Sequence, residues 1–222
     1  LDKLNQIVYI NTIDCIFKYK EMCIMVQNEY RLDKDELLDN LRAWNRVLQR
    51  RVHLIACGGT AMTLLGVKAS TKDVDFMVPD VREYNYLTKQ LPAMGYTPTT
   101  GSGWRRKGEA FHYDLFRGNN IHTTGLLESP LEAGRNKRLI EFSNLYIGIL
   151  NDYDLISSKL MRGTRVDYED CVALATFHKD ELDLERLAAH FYEMVSYDIA
   201  ENRLKPNIDI FLERLQEGTI ND

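Results

Sequence analysis

The sequence predicts a fold of the α/β or α+β class, with a helical lobe toward its C-terminal end. Three observations carry that expectation. The run HLIAC at 53–57 is short and almost wholly apolar, as a strand buried on both faces is. The run DVDFMV at 73–78 alternates, putting Val74, Phe76 and Val78 on one face and Asp73, Asp75 and Met77 on the other. Helically spaced stretches separate and follow these runs, so the core reads strand, helix, strand, helix. Two amphipathic segments at 182–195 and 208–215, divided by Pro206, supply the helical lobe.

A chain of 222 residues has room for one large domain or two small ones with a real core. Its 45% hydrophobic and 27% charged content is ordinary for a globular protein, and a net charge of −5 argues against a general nucleic-acid coat protein. No run approaches the ~18 apolar residues of a membrane span, so no membrane partner is expected. The start, Leu1-Asp2-Lys3, has neither a signal-peptide pattern nor an initiator Met, as a trimmed N-terminus would. Cys15, Cys23, Cys57 and Cys171 lack metal-type spacing and suit buried thiols in a reducing cytoplasm, the location expected.

Three segments follow from the patterning: an N-terminal helical segment at 1–51, a core at 52–150 and a helical lobe at 151–222. Within 1–30 the pattern is mixed. Ile7-Val8-Tyr9-Ile10 reads as strand or helix start, 19–30 admits a helix, and a truncated winged-helix module is conceivable. Residues 33–51 are clearer. Asp33 and Glu36 make a capping-box start, and Leu37, Leu41, Trp44 and Leu48 share one face. Arg42, Arg46, Arg50 and Arg51 lie largely off that face and read as solvated.

Gly58-Gly59 breaks the strand at 53–57, and a short helix at 60–65 stops at Gly66. Bare glycine backbone opening a helix can take an anion on its N-terminal N–H groups. Asp73 and Asp75, about 6–7 Å apart at Cα on one strand face, repel each other unless a cation relieves them. Mg²⁺ takes one or two carboxylates together with substrate phosphates. The bland alternative is an ordinary tight turn followed by a solvated strand face.

After Pro79 a helix is expected at 83–94, with Val81, Tyr84, Leu87 and Leu91 apolar and Gly95 as its stop. Residues 97–103 read as a turn-rich loop. Trp104-Arg105-Arg106-Lys107 suits either a phosphate or base contact or a charge-guarded hairpin edge. Residues 111–116 alternate as a strand, with His112, Asp114 and Phe116 on one side. Residues 121–134 show little pattern, and 135–138 read as a solvated turn. A strand at 145–150 precedes a helix at 153–162, on which Lys159 and Arg162 stand three apart. Asp167 is expected to cap the next helix, with Asp170 at its third position.

Gly58-Gly59, thirteen intervening residues and Asp73-Val74-Asp75 together resemble the polymerase β-like nucleotidyltransferase superfamily. The wording Ser70-Thr71-Lys72-Asp73-Val74-Asp75-Phe76 is similar to its minimal prokaryotic members, including toxins of the abortive-infection, type IV toxin–antitoxin kind. Asp154-Leu155, Lys159, Arg162, Arg165, Asp167 and Asp170 resemble, more loosely, a second motif of those toxins. A capped, salt-bridged surface helix pair would read the same way.

The resemblance implies an α+β core with a small mixed sheet between helices, and transfer of a nucleoside monophosphate from an NTP to an acceptor. Asp73 and Asp75 would hold Mg²⁺ or Mn²⁺. Gly58, Gly59 and Thr60 would seat the triphosphate, with Lys72 and Lys159 near it. Displacement of this kind calls for a further acid on an adjoining strand. Asp114 is the best placed. Glu109 lies nearer a turn, and helix capping explains Asp152 and Asp154 more simply. The acceptor would be an RNA such as tRNA, a protein or a small molecule, and a cognate antitoxin is a possible partner. The rival reading is a nucleotide- or RNA-binding module that kept the fold and lost catalysis.

Overall fold

The computed structural model describes residues 30–220, so the readings made for residues 1–29 fall outside it. The chain divides into two compact units, 1–31 and 32–222, and the second holds every element below. Helix α1 (Lys34–Val47) begins as its sequence predicts: the Asp33 carboxylate accepts from the Glu36 N–H and the Glu36 carboxylate from the Asp33 N–H. Leu37, Leu41, Trp44 and Leu48 are buried, while Arg42, Arg46, Arg50 and Arg51 are exposed.

The chain then enters β1 (Val52–Ala56), turns at the glycines into α2 (Gly58–Leu65) and returns along β2 (Val74–Val78). Gly66, in the left-handed region at φ 84°, ends α2. Asp80 caps α3 (Val81–Gln90), and a 3₁₀ turn (Leu91–Met94) carries it to Gly95. The helix expected at 83–94 therefore starts earlier and tightens before Gly95. Val81 is exposed rather than apolar-facing, because it sits in the first turn beyond the cap.

Two short strands, β3 (Tyr96–Pro98) and β4 (Gly103–Arg106), replace part of the loop expected at 97–103 and form a hairpin at one sheet edge. β5 (Tyr113–Arg117) follows, then a two-stranded ribbon, β6 (Asn120–Ile121) and β7 (Thr124–Gly125), in the patternless stretch. The basic run at 135–138 is not a turn but the entry to β8 (Asn136–Glu141), which pairs antiparallel with β9 (Leu145–Leu150). The sheet order is β3-β4-β5-β2-β1-β9-β8, with β1∥β9 and β2∥β5 parallel and the other neighbours antiparallel. The fold is thus α+β with a mixed sheet flanked by helices.

Both faces of the sheet are covered. Val74, Phe76, Tyr113 and Leu115 are buried on the side where Trp44 of α1 meets Tyr96 and Tyr113, at ring-centroid distances of 5.4 and 4.6 Å. The opposite side, carrying Met77 and Phe116, receives α2. Beyond β9 come α4 (Asp152–Arg162), α5 (Arg165–Phe177), α6 (Leu184–Ser196), the single turn α7 (Glu201–Leu204) and α8 (Pro206–Ile220). α4 packs on α2, α5, α6 and α8, which ties the helical lobe to the glycine turn. Cys57 and Cys171 are buried free thiols.

Candidate active site

Three carboxylates gather where β2 and β5 begin. Asp75 and Asp114 are register partners on adjacent parallel strands, about 4.8 Å apart at Cα with side chains on the same face. Asp73 precedes them at the mouth of β2, with its side chain 57% exposed. Met77, on the same face, is buried and Asp75 half-buried, so the carboxylate face of β2 is covered and only Asp73, at its mouth, is in solvent.

Gly58 stands against this cluster. Its φ is +56°, and a Cβ built on it would lie 2.5 Å from Asp75 Oδ2, so both the conformation and the space exclude a side chain. A Cβ on Gly59 would come within 2.9 Å of Thr71 Oγ1. The cap residue of α2, Cys57, makes no side-chain bond to the helix start, so no side chain of its own covers that N-terminus. The side chain of Thr60 has structural partners. Its buried hydroxyl donates to Asp73 O (3.2 Å) and accepts from the Asp75 N–H (2.8 Å), clamping the start of β2 to α2. Thr71 Oγ1 also donates to Asp73 O, at 2.8 Å.

Burial pushes the Asp75 carboxyl up, and Asp114 and then Asp73 push it further, to about 7; Arg162 and Lys159 only partly counter them. The same burial, with Asp75 beside it, holds the Cys57 thiol well above its ordinary range. Asp114 is held on both oxygens: Ser102 Oγ donates to Oδ1 at 2.9 Å, and His112 Nε2 lies 3.2 Å from Oδ2. The other imidazole nitrogen, Nδ1, stands 3.6 Å from Asp73 Oδ1, so His112 sits between two of the three carboxylates.

Lys159 is buried in a helix pair rather than on a surface. Its Nζ is 2.7 Å from Asp170 Oδ2 and 3.9 Å from Asp167 Oδ1, and all three residues are buried. The reading of this motif as a surface helix pair is therefore corrected: the pair faces the core. Lys68 reaches the second Asp170 oxygen at 2.6 Å from the loop before β2, and Arg162, half-exposed, pairs with Asp167. Burial pushes Asp170 up, but Lys159 and Lys68 outweigh it and hold it below the ordinary carboxylate range. Lys68, Lys159 and Arg162 thus face two carboxylates, leaving a surplus positive charge near Asp75.

Other expected roles move as well. Thr164, not Asp167, caps α5; Asp167 is the third residue of that capping box and returns to the Thr164 N–H at 3.3 Å. Asn151 caps α4, so neither Asp152 nor Asp154 does. Asp154 is buried against His190 Nε2 at 2.8 Å, and Asp152 lies 2.8 Å from His178 Nδ1. Glu109 pairs with Arg106 and stands apart from the carboxylates, and Lys72 is exposed next to Asp73.

Sequence reasoning set His112 on the Asp114 side without giving it a role, and passed over Ser102 and Lys68. Ser102 comes from a turn and Lys68 from a loop, where no periodicity points at a partner.

Hard oxygen donors, mutual repulsion and a carboxyl raised to about 7 fit a divalent cation by charge and donor type. Among the described residues no three His, Cys, Asp or Glu side chains converge as a ready-made metal cage. Mg²⁺ commonly keeps waters and takes only one or two carboxylates, so an open pair suits it.

No protein-family model matches the sequence, and no curated protein matches it. Solved structures do. A "putative nucleotidyltransferase" of Thermotoga maritima is similar to 70% of this chain over 100% of its own, at 15% identity and a TM-score of 0.43. An antigenic nucleotidyltransferase-like protein of Paracoccidioides brasiliensis is similar over 79% of this chain and 95% of its own, at 14% identity and 0.42. A "putative nucleotidyltransferase" from H. pylori is similar over 84% and 98%, at 14% identity and 0.40.

Proposed function

We propose that this chain is a nucleotidyltransferase that moves a nucleoside monophosphate from an NTP to an acceptor hydroxyl and releases pyrophosphate. The observation that carries the reading is the pairing of Asp75 with Asp114, side by side on adjacent strands and against the bare backbone of Gly58. Asp73 and Asp75 would hold Mg²⁺ or Mn²⁺, with Asp114 joining them. A bound divalent ion would neutralise the phosphates and stabilise the charge that develops in displacement.

The chain's own residues would do the rest. The N–H groups at the start of α2 would take phosphate oxygens, and Arg162, half-exposed, would answer the triphosphate charge more directly than buried Lys159. As the acceptor oxygen bonds to the α-phosphorus, the bond to the leaving pyrophosphate breaks. Asp114 would receive the hydroxyl proton. The acceptor is an RNA such as tRNA, a protein side chain or a small molecule. A toxin-like role would add a cognate antitoxin, and expression without one would then arrest growth.

A second reading has its own support. His112 stands between Asp73 and Asp114 and, 3.2 Å from Asp114 Oδ2, occupies a carboxylate that transfer needs free, as it would in a binding module that keeps the fold without transfer. The deciding experiment incubates the protein with Mg²⁺, each labelled NTP in turn and total cellular RNA. Label carried into RNA, into the protein or into a small acceptor supports transfer. NTP binding with no label transferred to any acceptor sinks the enzyme and leaves the binder.

A further inference from the structure

Far from the carboxylates, at the sheet end where β1 begins and β2 finishes, a shallow groove of about 490 Å³ runs along α3. It is lined by Arg50, Arg82, Asn85, Tyr86, Lys89 and Gln90, and no carboxylate lines it. The five lining residues of α3 fall at i, i+3, i+4, i+7 and i+8, which is one helix face. The acidic residue of that helix, Glu83, points elsewhere: its Oε2 accepts from the His53 N–H at 2.7 Å.

The groove is held in shape. Tyr86 Oη accepts from the Gln49 and Arg50 N–H groups, at 2.8 and 3.2 Å, which fastens the link between α1 and β1 onto α3. That fastening sets the Arg50 guanidinium over the Tyr86 ring, 5.5 Å from its centroid. Arg82 is exposed and shares its charge with Asp80 at 2.9 Å. Among the described residues no carboxylate stands within ion-pair distance of Arg50 or Lys89.

We infer that this groove docks the phosphate backbone of a single-stranded RNA. A chain of net charge −5 repels a polyanion as a whole, so contact needs a local basic surface such as this, on which two of the three cations, Arg50 and Lys89, have no carboxylate partner among the described residues. Arg82 and Lys89 are seven residues apart on one face, about 10.5 Å along the axis. Over such a span a single nucleic-acid strand presents more than one phosphate, so both cations can be engaged by the same strand. Arg50 adds a third cation from across the groove, while Asn85 and Gln90 offer amide groups to sugars and base edges. β2 is five residues long, so the carboxylates at its other end are about 16 Å away, and a strand of several nucleotides could span both. RNA binding here does not depend on the transfer reaction, so each can fail alone.

The test uses the full chain, a 5′-labelled RNA of roughly twelve nucleotides and fluorescence anisotropy across about 50–200 mM salt. In Arg50→Glu/Lys89→Glu the affinity is expected to fall at least about tenfold, and the slope of log affinity against log salt to become shallower by about 1.4, for two lost phosphate contacts. Mg–NTP binding by the same variant stays at the wild-type value. Unchanged RNA affinity and slope in the folded variant overturn the inference. So does displacement of the RNA by polyglutamate at equal charge, which would mark the groove as a seat for an acidic protein.

Discussion

Asp75 is the residue on which charge weighs most. An acid raised from 3.8 to about 7 holds its proton more firmly in the folded chain than in the unfolded one. Its favourable contribution is complete below pH ~4 and is lost as pH rises through about 7. At ~1.4 kcal/mol for each pH unit between the two values, the ionised carboxylate costs the fold up to about 4 kcal/mol. Asp75→Asn should therefore be more stable than wild type at pH 8 but not at pH 4, and Mg²⁺ should narrow the gap by stabilising wild type alone. Urea unfolding at both pH values checks this, and a gap independent of pH refutes the repulsion. Gly58 carries a steric version of the same constraint. Gly58→Ala meets Asp75 Oδ2 and forces a side chain into the left-handed region, at a cost of about 1–2 kcal/mol for the conformation alone. It should lose NTP binding in calorimetry, whereas Gly66→Ala, with open space around it, should keep it.

Among the elements, α4 and α5 separate structural from ligand-directed cations. Lys159 is enclosed with Asp167 and Asp170, so Lys159→Ala removes a buried charge-assisted bond, leaves those carboxylates to Arg162 and Lys68, and should cost about 2–3 kcal/mol of stability. Arg162 is half-exposed, and Arg162→Ala should change stability by less than about 1 kcal/mol yet lower NTP affinity several-fold. Denaturant midpoints and NTP titrations on both variants resolve the two roles; the opposite pattern would return Lys159 to the triphosphate. Thr164→Ala should cost about 1 kcal/mol by removing the α5 cap, where substitution at Asp167 alone would confuse cap with ion pair.

For the whole molecule, legibility followed periodicity. The strand at 53–57, the alternation at 73–78 and the capped helix beginning at Asp33 could be read because burial on a period of two or 3.6 leaves a trace in the residues themselves. Asp114 was legible for the same reason, being central in an alternating run. Partners drawn from a loop or turn left no such trace: Lys68 on Asp170, Ser102 on Asp114. Neither did the exchange of cap from Asp167 to Thr164, since either residue satisfies the capping pattern. Burial of the Lys159 pair was invisible because it depends on α4 settling against α2, elements nearly a hundred residues apart in the chain.

The central position of β1 has a consequence for synthesis. Its antiparallel neighbour β2 leaves the ribosome soon after it, but its parallel neighbour β9 arrives only with Leu145. Until then the apolar edge Val-His-Leu-Ile-Ala has no partner on one side, an invitation to intermolecular pairing. A nascent chain halted just short of β9 should therefore aggregate or recruit chaperones, and one extended through β9 and α4 should not. Arrested-chain pulldown at the two lengths, followed by protease sensitivity, would show whether this strand is the step at which the protein is most exposed to failure.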